Sequence, residues 1–320
     1  MTRMLLALLL ALCAAPAWSQ ERAVAVTFDD LPFQASNADL CDAARLERLT
    51  ADFLAMLRPL DTHGAGFVNE GRVCAEKRDD LLPRLLSQWL DAGLEIGNHT
   101  FSHPNVHRMT AEAYLAEVDA GEALTRPLSA NRGLRLRWFR HPFLFTGDTP
   151  EKKAAIAEGL RRRGYEAAPV TIDNNDWMFG AVYRKAEAAA DEALKRRVGE
   201  AYVAHMAAVL DHWEPYSAEL GGGREPTQIL LLHANTLNRD WYPRIHALFL
   251  ARGYRFVPLE QAVADPVYAL PDTYVRASGV SWLHRWTASQ GRRIRWEPEP
   301  PAWIVEAYDG RGSTAPAAAD

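Results

Sequence analysis

Ala23-Val24-Ala25-Val26-Thr27-Phe28-Asp29-Asp30 decides how the rest of the chain reads. The run is short, apolar and valine-rich, and it ends on two consecutive carboxylates. A segment of that kind predicts a buried strand that ends in polar residues. Working outward, residues 42–60 carry Leu46, Leu49, Phe53 and Leu57 at helical spacing. Residues 66–68 are the next strand candidate. Residues 81–90 predict a second amphipathic helix, stopped at Gly93, and residues 94–96 lead into Gly97-Asn98-His99. Thr110 predicts an N-cap, with Glu112 in the first turn where a negative charge suits the helix dipole. Residues 138–140, 168–172, 228–232 and 254–258 read as further strands, and 150–163 and 242–251 as helices. This alternation predicts an α/β fold on a parallel sheet, either a barrel or an open sheet.

Two regions break the rhythm. Residues 184–197 and 200–213 are helical stretches, followed by Gly221-Gly222-Gly223. Residues 181–223 therefore read as a helical insertion ending in a flexible hinge, which either caps a cleft or decorates the surface. Beyond Pro266 the chain carries Trp282, Trp286, Trp296, Trp303 and many prolines, without a helical period. Residues 266–320 thus read as a tail wrapped on a domain of residues 20–265, with 313–320 disordered. For Trp282, Trp286 and Trp296, core packing is favoured over sugar stacking.

At the other end, Arg3, the apolar run 4–13 and Ala17-Trp18-Ser19 predict a signal peptide over residues 1–19, cut before Gln20. That run is short for a bilayer span, and no other segment is long and apolar enough. The expected location is periplasmic or secreted, with no membrane span after cleavage. Removing Arg3 moves the formal charge from −5 to −6. A mildly acidic chain without basic clusters is a poor nucleic-acid binder. Its 320 residues, 48% hydrophobic and 24% charged, can bury a sizeable α/β core. Cys41 and Cys74 survive cleavage, and export permits a disulfide between them; two buried free thiols are the alternative.

The chemistry-bearing residues sit just after predicted strands, where parallel α/β folds build their sites. In order they are Asp29-Asp30, His99 with His103, Arg140, Asp173 with Asp176, and His233. His99-Thr100-Phe101-Ser102-His103 places two imidazoles four residues apart, able to grip one ion. His103 and His107 repeat that spacing; His99 is favoured because it lies directly beyond its strand. Two imidazoles and one carboxylate leave coordination positions open for water and substrate, the pattern of a catalytic metal site. One aspartate of the pair can ligate while its neighbour takes a proton. Arg140 can pair with Asp29 and keep it ionised. Asp176 can hold one nitrogen of His233 and keep that ring protonated as a general acid.

These residues resemble the five ordered motifs of the polysaccharide deacetylase family, also called carbohydrate esterase family 4 or the NodB homology domain. Thr27-Phe28-Asp29-Asp30 matches motif one, and His99-Thr100-Phe101-Ser102-His103 motif two. Arg140-His141-Pro142-Phe143 matches motif three, Asp173-Asn174-Asn175-Asp176-Trp177 motif four, and Leu231-Leu232-His233 motif five. The resemblance spans roughly residues 24–260. It implies an α/β fold, a distorted (β/α) barrel of about seven parallel strands. It also implies one divalent metal ion, usually Zn2+, with Co2+, Mn2+ or Ni2+ as substitutes. Asp29 would be the catalytic base, and Asp30, His99 and His103 the metal ligands. Arg140 would orient Asp29, and His233 would be the general acid, supported by Asp176. The Phe143 main-chain N–H would help hold the oxyanion, and Trp177 and Leu231 would line the pocket for the acetyl methyl. Departures are His141 where proline is common, Phe143 for tyrosine, Ala234-Asn235 after His233, and the long insertion.

The implied activity is removal of acetyl groups from a carbohydrate, a hydrolysis of linear amides, with N-acetyl glycans favoured. O-acetyl, xylan-type ester cleavage is one alternative. A catalytically inactive carbohydrate-binding member is another, and the presence of both Asp29 and His233 weighs against it.

Overall fold

The computed structural model describes residues 22–310. The expected signal peptide and the expected disorder at 313–320 lie outside the described residues. The strands are β1 (Arg22–Leu31), β2 (Ala65–Val68), β3 (Glu95–Asn98), β4 (Trp138–Phe139), β5 (Glu166–Ala167), β6 (Gln228–His233) and β7 (Tyr254–Phe256). The first helices are α1 (Asn37–Cys41), α2 (Ala43–Leu57), α3 (Ala75–Asp91), α4 (Ala111–Ala120), α5 (Thr125–Ala130) and α6 (Pro150–Arg162). They are followed by α7 (Asp176–Ala188), α8 (Glu192–Leu220), α9 (Thr236–Ala251), α10 (Leu259–Val263), α11 (Trp282–Ser289) and α12 (Ala302–Asp309).

All strand pairs are parallel, in the order β5-β4-β3-β2-β1-β6, with β7 on the start of β1. Ile172, beyond β5, bridges Leu230 of β6. The segment 166–172 therefore touches both edges, and the sheet curls into the expected α/β barrel in a half-open form. Alternation along β1 splits the core. Val24, Val26 and Phe28 join a large cluster with Phe53, Trp89 and Tyr242 from α2, α3 and α9. Ala23 and Ala25 join a smaller one with Phe67, Trp138 and Ile229. Thr27 and Asp29 continue the second face.

Parallel pairing brings the strand ends to one rim. Asp29 stands opposite His233, and Asn98 opposite Phe139, so the residues that follow, His99 and Arg140, are neighbours. Between Phe28 and Leu31 the register with β2 shifts, and β1 takes one extra residue. Asp30 sits in that bulge at φ 67°. A regular strand turns consecutive side chains to opposite faces; the bulge lets Asp29 and Asp30 share the rim.

Several boundaries differ from the sequence expectation. No regular strand forms over 168–172, where one was expected: β5 is Glu166–Ala167, and Pro169 beyond it cannot donate to a ladder. The two helical stretches expected at 184–197 and 200–213 are divided elsewhere: α8 runs unbroken across residue 199, and the break falls at Ala190, φ 53°. Leu194, Val198, Tyr202, Met206, Val209 and Trp213 of α8 are buried, and α8 packs on α7, α9 and α11. The tail holds two helices where none was expected. Ser281 caps α11 through the His284 N–H, and α12 is flanked by Pro301 at its start and Gly310, φ 73°, at its end. Proline before the start and glycine past the end were the legible signals. Trp282 and Trp286 are buried, whereas Trp296 is 61% exposed. Cys41 and Cys74 form a disulfide that ties α1 to the start of α3. Among the described residues no helix is long and apolar enough to cross a membrane.

Candidate active site

A cleft of about 530 Å³ opens at the rim where β1, β3 and β6 end. Asp29, Asp30, His99, His103, Phe143, Asp173, Trp177, Leu231 and His233 line it. A larger cavity, about 640 Å³, lies between α2 and α3 near His63 and holds none of the motif residues. Convergence of the motifs, not size, identifies the site.

Arg140 is fully buried beneath the cleft. Its Nη1 donates to both Asp29 oxygens at 3.2 and 3.3 Å, Nη2 to Thr27 Oγ1 at 3.1 Å, and Nε to the Ala168 carbonyl at 3.0 Å. Its guanidinium lies 4.5 Å from the Phe67 ring centre. Asp176, also buried, accepts from the His233 main-chain N–H at 2.7 Å and from Asn238 Nδ2 at 2.6 Å. Its other oxygen pairs with His233 Nδ1 at 2.7 Å. Nδ1 is thereby committed to Asp176, and Nε2 is the nitrogen left to the cleft.

The ligand atoms of Asp30, His99 and His103 lie within 4.8 Å of one another. His99 Nδ1 donates to the Arg140 carbonyl at 2.7 Å, leaving Nε2 to face Asp30 Oδ1 at 3.9 Å. His103 Nε2 is 3.8 Å from the same oxygen. Asp30 Oδ1 is buried without a hydrogen bond, although Arg72 Nη1 stands 3.0 Å away. Burial holds both imidazoles down at about 4, so they are neutral near pH 7. Burial pushes Asp30 up, but Arg72, His233, His103 and His99 together hold it well below the usual carboxylate range. Two neutral ring nitrogens and an ionised, unbonded carboxylate oxygen fit a divalent cation. His107 is not part of this group; its ring stacks on Phe145 at 4.3 Å.

The rim is also conformationally unusual. Asp30, Thr100, His103, Phe143, Leu144 and Asn175 have φ between 56° and 69°. Residues other than glycine seldom adopt this region, and such strain collects at functional sites. Among the described residues only His63 and Ala190 share it elsewhere.

Some site residues were not legible beforehand. Gln34 donates to Asp30 Oδ2 at 3.3 Å. Arg72 faces the other Asp30 oxygen, and Asn238 braces Asp176. Gly279 and Tyr308 bring the C-terminal segment into the cleft, whereas no residue of 181–223 lines it. His141, a departure from the motif pattern, is buried with its Nδ1 at 3.2 Å from the Tyr114 hydroxyl.

The strand ends of this parallel half-barrel gather an Asp-His-His triplet that could hold a metal ion, a buried aspartate paired with an arginine, and a histidine paired with an aspartate. Residues 18–164, somewhat under half of the chain, match the family model described as polysaccharide deacetylase. Over 205 residues it is 23% identical to peptidoglycan-N-acetylmuramic acid deacetylase PdaC of Bacillus subtilis. That match covers 57% of this chain and 37% of the relative, so the chain spans well under half of that protein's length. The fold is similar to a CE4 family pseudoenzyme from Bacillus anthracis, with TM-score 0.50, 15% identity, 76% of this chain and 66% of that one. A mutant of that pseudoenzyme with restored enzymatic activity gives TM-score 0.50 and 18% identity over 76% of this chain and 68% of that one.

Proposed function

We propose that the chain is an exported, metal-dependent deacetylase of N-acetylated glycans. The observation that carries the reading is the pairing of Asp29 with His233 across the Asp30, His99 and His103 triplet. Asp29 is the base: it takes the proton of the attacking water while Arg140 orients it. Asp30, His99 and His103 would hold a divalent cation, Zn2+ in our reading, which when bound would supply Lewis acidity toward the acetyl carbonyl. The Phe143 main-chain N–H donates to the carbonyl oxygen as charge builds there. His233 gives its Nε2 proton to the leaving amine, so water and amide become acetate and a free amine. Trp177 and Leu231 bound the methyl pocket.

Export is supported by residues 1–19 and by the Cys41–Cys74 disulfide, which suits an oxidising compartment. Retention of both base and acid favours turnover over a binding-only role. The test is acetate release by metal-loaded and chelator-treated protein from N-acetylated and O-acetylated glycans. Release from N-acetyl glycans that chelation abolishes is expected. Release from O-acetyl xylan alone would reassign the substrate to esters.

A further inference from the structure

Tyr308 stands on the last turn of α12 and is 38% exposed at the cleft. Its ring meets Trp177 edge to face, centroids 5.2 Å apart at 84°. The helix that carries it is firmly docked. Lys185 Nζ donates to the Ala307 and Tyr308 carbonyls at 2.7 and 3.1 Å, and Arg197 packs over Trp303 at 4.0 Å. Ile304 and Ala307 are buried beneath. The ring is thus presented by a fixed element, on a cleft that is carboxylate and imidazole at its centre and aromatic at this wall.

We propose that Tyr308, beside Trp177, forms an aromatic subsite for the sugar neighbouring the acetylated one; this rests on the glycan-deacetylase reading above. A pyranose has an apolar C–H face and a polar rim. An amphipathic aromatic ring takes the face while the hydroxyls stay in water. With the acetyl group between Asp29 and His233 and its methyl against Trp177 and Leu231, the glycan leaves the cleft along the Tyr308 wall. A small acetyl ester needs none of that wall.

The test compares wild type, Tyr308→Ala and Tyr308→Phe on N-acetylglucosamine, its disaccharide and its tetrasaccharide, by calorimetric binding and by acetate release. Hydrolysis of 4-nitrophenyl acetate serves as the control. Tyr308→Ala is expected to weaken binding of the longer sugars about three- to tenfold, acting on KM and not kcat. The single sugar and the small ester should be unaffected, and Tyr308→Phe should behave as wild type. Equal losses on all sugars, no loss on any, or a Tyr308→Phe loss matching Tyr308→Ala overturns the subsite. Wild-type binding that depends on Tyr308 without acetate release on any substrate sustains the subsite and overturns the deacetylase reading. No binding by wild type overturns both.

Discussion

Asp29 and His233 face each other across one strand pair, and their environments raise both above the ordinary range of a carboxylate and an imidazole, for different reasons. Burial raises Asp29 to about 6 against the lowering effect of Arg140 and His233. Burial lowers His233, but Asp176, Asp30 and Asp29 outweigh it and raise the ring to about 9. In the proposed mechanism Asp29 acts ionised and His233 acts protonated. Activity should therefore rise with pH through about 6 and fall through about 9, with a bound cation drawing the lower limb toward acid. Asp176→Asn removes the main charge that raises His233, so the alkaline limb should move down; an unmoved limb would contradict the acid assignment. Asp29→Asn should lower kcat by roughly 10²–10⁴-fold with KM little changed. For the cation, elemental analysis of His99→Ala with His103→Ala should find no stoichiometric metal, while His107→Ala retains it. Metal kept by the double variant would place the site elsewhere.

The loop after β4 shows how one element depends on another. Phe143 and Leu144 both hold φ 56°, and the C-terminal segment supports them from behind. Arg285 of α11 is 1% exposed and donates to the Leu144 carbonyl, to Thr146 Oγ1 at 2.9 Å and to Asp272 at 3.2 Å. At Gly279 an added Cβ would lie 1.7 Å from the Phe143 carbonyl oxygen, so the two backbones meet with no room for a side chain. Arg285→Ala removes a buried charge and strands its partners. It should lower unfolding free energy by about 3–5 kcal/mol, read from urea midpoints. An unchanged midpoint would mean that the loop holds its own shape.

For the molecule as a whole, the Cys41–Cys74 bond closes a loop with a sequence separation of 33. Loop-closure entropy assigns it about 3–4 kcal/mol. Reduced protein should unfold at correspondingly lower urea, and coincident curves with and without reductant would refute this. At this scale α8 also changes meaning. Its buried Tyr202, Met206 and Trp213 make it part of the outer helical layer. Of residues 181–223, read as either a cap or a surface decoration, none lines the cleft, whose wall carries Tyr308 of α12.

The chain's local patterns were sufficient for the strand–helix order and for the motif residues. Apolar runs, caps and the polar residues that end each strand are written in neighbouring positions, and parallel pairing carries every strand end to one rim. Packing settled the rest. Arg140 reaches Asp29 across 111 positions, His99 and not His107 joins His103, and a bulge turns both aspartates to one side. The shift at Asp29 comes from burial and that at His233 from the charge of Asp176, neither of which a short stretch encodes. Tyr308 and Gly279 were invisible because the tail's helices are too short to show a period and dock through only a few residues. The chain spells out which groups can react; the folded surroundings set their charge, their strain and the wall against which a substrate lies.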